Sequence, residues 1–247
     1  MQWSDDGIVL GVRRHGEAGA ILELMTRLHG RHLGLVHGGR SARLQAVLQP
    51  GNSVHAVWRA RLDEHLGNFT IEADELRAAG FLSSPLALYG IGAAANLLRL
   101  LPERDPHPAL FESLGVLLEH LADRDLAPPL FVRFEIAVLA EFGFGLDIAR
   151  CAVTGSHDDL TFVSPKTGRA VTAAVGEPYA NRLLRLPRFL IGQAGGEGTP
   201  PEDIQAGFTL TEHFLRLHVF EPRGLPVPEE RARFIALAAA RDREQRF

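Results

Sequence analysis

An α+β protein is what this sequence predicts, a small five-stranded barrel followed by helices, and three observations carry the reading. Five short runs alternate apolar and polar residues and are broken by turns: 7–13, 20–26, 31–37, 54–62 and 67–72. Between the third and fourth lies 41–48 (SARLQAVL), with room for a short helix that ends at Pro50-Gly51. From Pro85 onward the apolar spacing changes from that of strands to that of helices. Three strands, a small helix and two more strands is the order of an OB-type barrel, a class that includes nucleic-acid binders.

Each element has its own warrant. Alternation in the fourth run places Val54, Ala56, Trp58, Ala60 and Leu62 on one face and His55, Val57, Arg59 and Arg61 on the other. In the second run Leu22 and Leu24 oppose Ile21, Glu23 and Met25, so both faces are partly apolar and one can pack on the following helices. Ser83-Ser84-Pro85 supplies a cap and a first-turn proline for a helix that Pro102 stops. A second helix over 109–121 puts Leu110, Leu114, Leu117 and Leu121 on one stripe. Pro128-Pro129 opens a third through Phe142, with Phe131, Phe134, Val138 and Phe142 as core contacts. Residues 146–176 read as an insert in which 160–164 and 169–172 pair as a hairpin around Pro165-Lys166-Thr167-Gly168. Helical patterning resumes at 178–186. A Gly-rich linker over 192–199 precedes a helix from about Glu202 to Phe220, and a last helix runs to about Arg243. The expected domains are therefore 1–80, the barrel, and 81–247, a helical domain carrying the insert.

Composition narrows the class. A chain of 247 residues that is 46% hydrophobic and 23% charged can bury a sizeable core without cross-links. Its single cysteine, Cys151, excludes an internal disulfide framework and fits a reducing compartment. No run approaches a membrane span, and MQWSDDGIVLG has neither the basic segment nor the apolar core of a signal peptide, so a cytoplasmic, nucleoid-associated place without membrane contact is expected. Net charge is −4, yet residues 1–70 hold eight arginines against six acids. Such an asymmetry suits an anionic partner for the front of the chain, and equally an ordinary scatter of surface charge. With Lys166 the only lysine, phosphate contact falls to arginine, whose planar fork suits it.

Catalytic patterns are missing. Pro165 precedes the only lysine where a P-loop needs glycine, and no HExxH occurs. Gly39-Arg-Ser41 continues to Arg43 instead of the glycine of a nucleophile elbow. Cys151 has no base at a diagnostic spacing and reads as a buried thiol. His29, His32 and His37 look like a metal cluster until strand alternation is applied, which sends neighbours to opposite faces. The aromatic residues that could stack on bases are few in the barrel: Trp3, Trp58 and Phe69, with Trp58 on the core side. An enzyme is not expected.

The block GIVLGVRRHGEAGAILELMTRLHGRHLGLVHGGRSAR, followed by LQPGN and WRARL, resembles the N-terminal barrel of the RecO family of recombination mediators. The likeness continues through LDIARCAVTG, FVSPKTGRAV, GEPYANRLLRLPRFL and GLPVPEERARF, nearly the whole chain. It implies an OB domain, a helical domain with a zinc-ribbon-like insert, and a non-enzymatic DNA repair role. Members bind single- and double-stranded DNA, anneal strands coated by single-strand DNA-binding protein, and with RecR promote RecA loading. One departure matters. Where many members hold zinc with two Cys-x-x-Cys pairs, this chain has Cys151-Ala-Val-Thr154 and Ser164-Pro-Lys-Thr167. Hydroxyls replace thiolates poorly in a tetrahedral site, so no metal and no cofactor is expected, with Leu160, Phe162 and Val171 holding the hairpin.

Annealing needs affinity for phosphates without locking bases away, so arginines should outweigh base-reading side chains. Charge and position nominate Arg13, Arg14, Arg31, Arg40, Arg43, Arg59 and Arg61 as the DNA-binding surface. The rival reading is a protein-interaction scaffold with only minor DNA contact. A third, a hydrolase using Asp or His, has no motif behind it.

Overall fold

Alternation becomes a five-stranded sheet in the first of two compact units, Met1–Ala122 and Asp123–Phe247. The computed structural model describes residues 1–192 and 198–240. Strands β1 (Gln2–His15), β2 (Gly19–Thr26), β3 (Gly30–Val36), β4 (Ser53–Arg59) and β5 (Asn68–Glu75) follow one another round a ring in the order β1-β2-β3-β5-β4. The first half of β1 pairs with β4 and its second half with β2. Inward residues of all five strands (Val9, Leu22, Leu24, Val36, Ala56, Trp58 and Phe69 among them) form one core. Burying each of the larger side chains stabilises by roughly 1.5–3 kcal/mol. Helix α1 (Ala42–Val47) starts at Ser41, whose Oγ accepts from the Leu44 amide at 3.4 Å, and delivers Val47 and Leu48 to that core. Gly34 is required there, because a Cβ at that point would stand 2.4 Å from the Phe69 ring.

Three helices complete the first unit: α2 (Ala78–Phe81), α3 (Pro85–Leu98) and α4 (Pro108–Glu119). Ser84 caps α3, accepting from the Ala87 amide at 3.3 Å, and Pro85 fills the first turn. Leu110, Leu114, Leu117 and Leu121 are all buried, as the stripe predicts. Gly30, at φ +64°, lets β3 begin against residue 105, where a Cβ would lie 1.9 Å from the Asp105 carbonyl oxygen.

In the second unit α5 (Ala127–Glu141), α7 (Pro201–Leu215) and α8 (Glu229–Ala239) share a core of Phe131, Phe208 and Phe234. A fully buried ion pair fixes their arrangement. Arg231 Nε donates to Glu135 Oε1 at 2.6 Å and its Nη1 to Glu212 at 2.9 Å. Burial pulls the Arg231 pKa down, but Glu135 and Glu212 hold it above its ordinary value. The insert contains β6 (Leu160–Val163), β7 (Ala170–Thr172), the short α6 (Ala173–Gly176) and β8 (Leu184–Arg185).

The expected fold class, an OB-type barrel followed by helices with a hairpin insert, needs correcting at the barrel. The five-stranded sheet is mixed. Four of its pairings are antiparallel ladders, but β3 meets β5 through one parallel residue pair, Leu35–Asn68, so the ring has a thin seam in place of an evenly closed barrel. The expected hairpin is present, β6 pairing antiparallel with β7, and β8 adds a third strand beside β6. Residues 178–186 were expected to be helical; they form a 3-10 turn over Glu177–Arg182, after which the chain extends and Arg185 pairs with Phe162. The helix expected to reach Phe220 is α-helical to Leu215 and continues as a π turn over Arg216–Phe220. Strand β1 begins five residues earlier than the alternation suggested. The polar Asp5 interrupts the apolar pattern, yet it is buried, accepting from the Leu28 amide at 2.7 Å. Most of the expected linker 192–199 and the last helix beyond residue 240 fall outside the described residues.

Candidate nucleic-acid interface

Residues facing away from the core divide the sheet surface into a covered half and an open half. The covered half is Ile8, Met25 and Arg31, neighbours in register across β1, β2 and β3. Ile8 and Met25 are buried there. Arg31 donates to Glu23 at 2.9 Å, stands 3.5 Å from Glu103, and reaches the Leu101 carbonyl at 3.4 Å. Arg99, at the end of α3, takes the other oxygen of Glu23 at 2.8 Å and donates to the Leu10 carbonyl at 3.1 Å. Gly11 makes room for that crossing, since a Cβ would meet the Arg99 guanidinium at 2.6 Å. Glu23 thus clamps two cations and ties the end of α3 to the sheet.

Beyond Glu23 the face opens. One register row crosses it: Arg59 opposite Asn68, Asn68 beside Leu35, Leu35 opposite Ile21, and Ile21 opposite Arg13. Four strand spacings make this row about 19 Å long, the length of about five or six stacked nucleotides. Arg59, Asn68 and Arg13 are exposed, Leu35 and Ile21 half-buried. Beside the Arg13 end lies a groove of about 350 Å³ lined by Gly11, Val12, Arg13, Ile21, Glu23, Leu33 and Arg99. The row has cations at its ends and apolar side chains in its middle. It can hold a phosphate chain while the apolar centre supports sugars or bases without reading their sequence.

The seven nominated arginines therefore have different fates. Arg13 and Arg59 are joined by the row. Arg59 Nε donates to Gln2 at 3.0 Å, which orients it without neutralising it. Arg61 follows β4 and is exposed. Arg14 neighbours Arg13 but faces the opposite way, opposite Ala20 at the rim of the ring. Arg40 and Arg43 are exposed beside the β1–β2 turn: Arg40 donates from its amide to the Ala18 carbonyl at 3.2 Å and from its guanidinium to the Glu17 carbonyl. Among the described residues none of these six has a carboxylate partner within ion-pair distance. Arg31 is the exception; its charge is spent on Glu23 and Glu103 inside the fold.

At the start of β1 the few aromatic rings of the barrel form a cluster with His29 and His32. Trp3 stacks on His29 with centroids 4.1 Å apart and on Trp58 at 5.7 Å, and it meets Phe69 and His32 edge-on. Trp58 is core, as its face predicted, with its indole N–H donated to the Leu66 carbonyl at 3.0 Å. His29 was expected to face away from His32. It lies in the β2–β3 turn and not on a strand, so both rings reach Trp3. Burial pushes the His32 pKa down to about 4. His29 Nδ1 is 2.9 Å from buried Asp5. The available signal was a Trp and an Asp two residues apart ahead of the apolar run, which is alternation with a polar member.

The two insert turns that the family resemblance associates with zinc offer one soft donor. Cys151 Sγ accepts from the Thr154 amide at 3.5 Å and lies 4.0 Å from the Thr172 hydroxyl. The Thr154 hydrogen bonds outweigh burial and bring the thiol down to about 6. On the other turn, the Gly168 amide donates to the Ser164 carbonyl at 2.9 Å, so the backbone closes it unaided. One thiol and three hydroxyls do not suit zinc. Leu160 and Val171 are buried and Phe162 half-buried, packed where a Cβ on Gly176 would be.

A family model described as "Recombination protein O N terminal" matches residues 1–74, and one described as "Recombination protein O C terminal" matches 82–225. A DNA repair protein RecO of Methylobacterium nodulans is 62% identical over 243 residues, covering 97% of this chain and 99% of its own. The protein of the same description from Chelativorans sp. is 60% identical over 237 residues, with 96% and 95% covered. That from Sinorhizobium medicae is 56% identical over 235 residues, with 95% and 94% covered.

Proposed function

Because this chain belongs to the RecO family of DNA repair and recombination proteins, we propose that its open sheet face holds DNA by the backbone so that complementary strands can pair. The role is that of a non-enzymatic mediator. The observation that carries the placement is the row from Arg59 to Arg13, where guanidinium groups free of carboxylates flank an apolar centre. Contacts of this kind are salt-dependent and indifferent to sequence, and they release bases readily for pairing. Arg40, Arg43 and Arg61 extend the cationic reach to single and double strands alike.

The partners of the same proposal are RecR, single-strand DNA-binding protein and, through them, RecA, with the protein acting in the cytoplasm on the nucleoid. A specific feature supports protein contact by the second unit. A cavity of about 540 Å³ is lined by Pro128, Ile204, Phe208 and Ile235, with Arg124 and the carboxylates Asp125, Glu202 and Glu212 among its walls, which offers apolar surface to a protein segment. Strand annealing by the full-length protein, followed over a salt series, tests the main reading. Annealing should be fast at low salt and slow steeply as salt rises. Annealing no faster than that of DNA alone, with no retention of either strand, would leave only the scaffold reading.

A further inference from the structure

We propose that the ring stack Trp58–Trp3–His29 presents a plate for one unpaired nucleobase, so that this end of the sheet distinguishes single strands from duplex. The inference rests on the DNA-binding reading above and adds a base contact to it. Three features carry it. First, the order of rings runs from core to surface: Trp58 is buried, Trp3 half-buried, and His29 keeps a third of its side chain, 33%, exposed. Trp3 lies nearly parallel to both neighbours, at 17° to Trp58 and 8° to His29. Second, the outer ring is fixed. Asp5 accepts from the Leu28 amide at 2.7 Å and meets His29 Nδ1 at 2.9 Å, so the turn and the imidazole are held together. A ring needed only to fill the core would not be pinned at the surface by a buried carboxylate. Third, a cation stands on the rings' own side: the Arg104 guanidinium lies 5.9 Å from the Trp58 ring centroid, whereas Arg59, in the next register pair Gln2–Arg59, points to the opposite face of the same strands. Stacking of this sort tolerates any base, because every base has a π face, and it excludes paired bases, whose faces are already occupied.

Trp3 and Trp58 are the only tryptophans in the chain, so its intrinsic fluorescence reports this stack alone. The experiment uses the full-length protein, a short labelled oligothymidylate, and a strand of the same length without bases. Anisotropy reads binding and tryptophan emission reads stacking. Both strands should bind, and only the base-bearing one should quench emission. His29→Ala should weaken the base-bearing strand about tenfold and leave the abasic strand unchanged, whereas His29→Phe, which keeps a ring and loses the bond to Asp5, should retain quenching. Equal quenching by both strands, or unaltered affinity of His29→Ala for the base-bearing one, would overturn the proposal and assign the stack to closing the sheet. Should His29→Ala fail to fold, the two strands on the wild-type protein and on His29→Phe still decide. If neither strand binds at all, the DNA-binding reading falls and this inference falls with it.

Discussion

The covered and open halves of the sheet face carry the same residue type to different ends. Arg31 and Arg13 both project outward from the sheet. Arg31 meets Glu23 and Glu103 and is only 12% exposed, whereas Arg13 has no carboxylate partner among the described residues. The difference lies wholly in what the neighbouring strand and the end of α3 contribute. A paired arginine holds the fold together; an unpaired one is available to a ligand. In the second unit Arg231 repeats the covered case in a more extreme form, fully buried against Glu135. Positive charge alone is therefore a poor guide to binding, and the carboxylates across the sheet decide.

Breaking the covered half should produce the largest effect. Arg31→Ala leaves Glu23 with Arg99 alone and removes the link to Glu103 and Leu101. Losing one partner of a largely desolvated pair costs about 3 kcal/mol, which a denaturant melt will show as a lower midpoint. The DNA affinity of the folded variant should match the wild type. A variant of wild-type stability that binds DNA poorly would reverse the assignment of Arg31.

The open half should show the opposite pattern. Arg13→Ala together with Arg59→Ala should leave stability within about 0.5 kcal/mol. Loss of two phosphate contacts should lower the slope of log affinity against log salt on single strands by about 1.4. Unchanged slopes would move the interface elsewhere, with the Arg40 and Arg43 turn as the next surface to alter.

How much of this could be read from residues alone follows from the same contrast. Strand order, α1 with its Ser41 cap, the Ser84-Pro85 start of α3 and the leucine stripe of α4 are local, set by alternation, capping and turn residues within a few positions. The site is not local. Glu23 precedes Arg31 by eight positions and Arg99 follows by sixty-eight, and no spacing announces that the carboxylate joins them. Likewise the row from Arg59 to Arg13 exists only because of the single Leu35–Asn68 pair, a register that alternation cannot specify. His29 misled because it was placed on a strand when it occupies a turn. Arginine number was legible in the chain; arginine availability required the sheet.

Acid should probe the buried ring cluster instead. His32 is buried among Trp3, Trp58 and Phe69, and burial lowers its pKa from 6.5 to about 4. Between those values the unfolded chain binds the proton and the folded one does not, so stability falls as pH drops from about 6.5 toward 4. His32→Phe should flatten that part of the stability profile, and thermal melts at pH 7 and pH 5 will register it as a smaller difference between the two. An undiminished difference would assign the acid sensitivity to other groups.

His55 is the intermediate case, an exposed cation site that nevertheless has a carboxylate, and it should give the smallest effect. Its Nδ1 lies 2.9 Å from Asp6, and that hydrogen bond raises its pKa above 6.5. The sign is opposite to that of His32: the contribution is complete below pH 6.5 and disappears as pH rises through the raised value. Solvent screening keeps it small. His55→Gln should therefore lower the melting temperature slightly at pH 6 and not at all at pH 9, with little change in DNA affinity at either pH. If His55→Gln weakens DNA binding at pH 6 as much as an arginine of the row does, then pairing with a carboxylate at an exposed position does not remove a cation from the interface. The division between covered and open halves would then rest on burial alone.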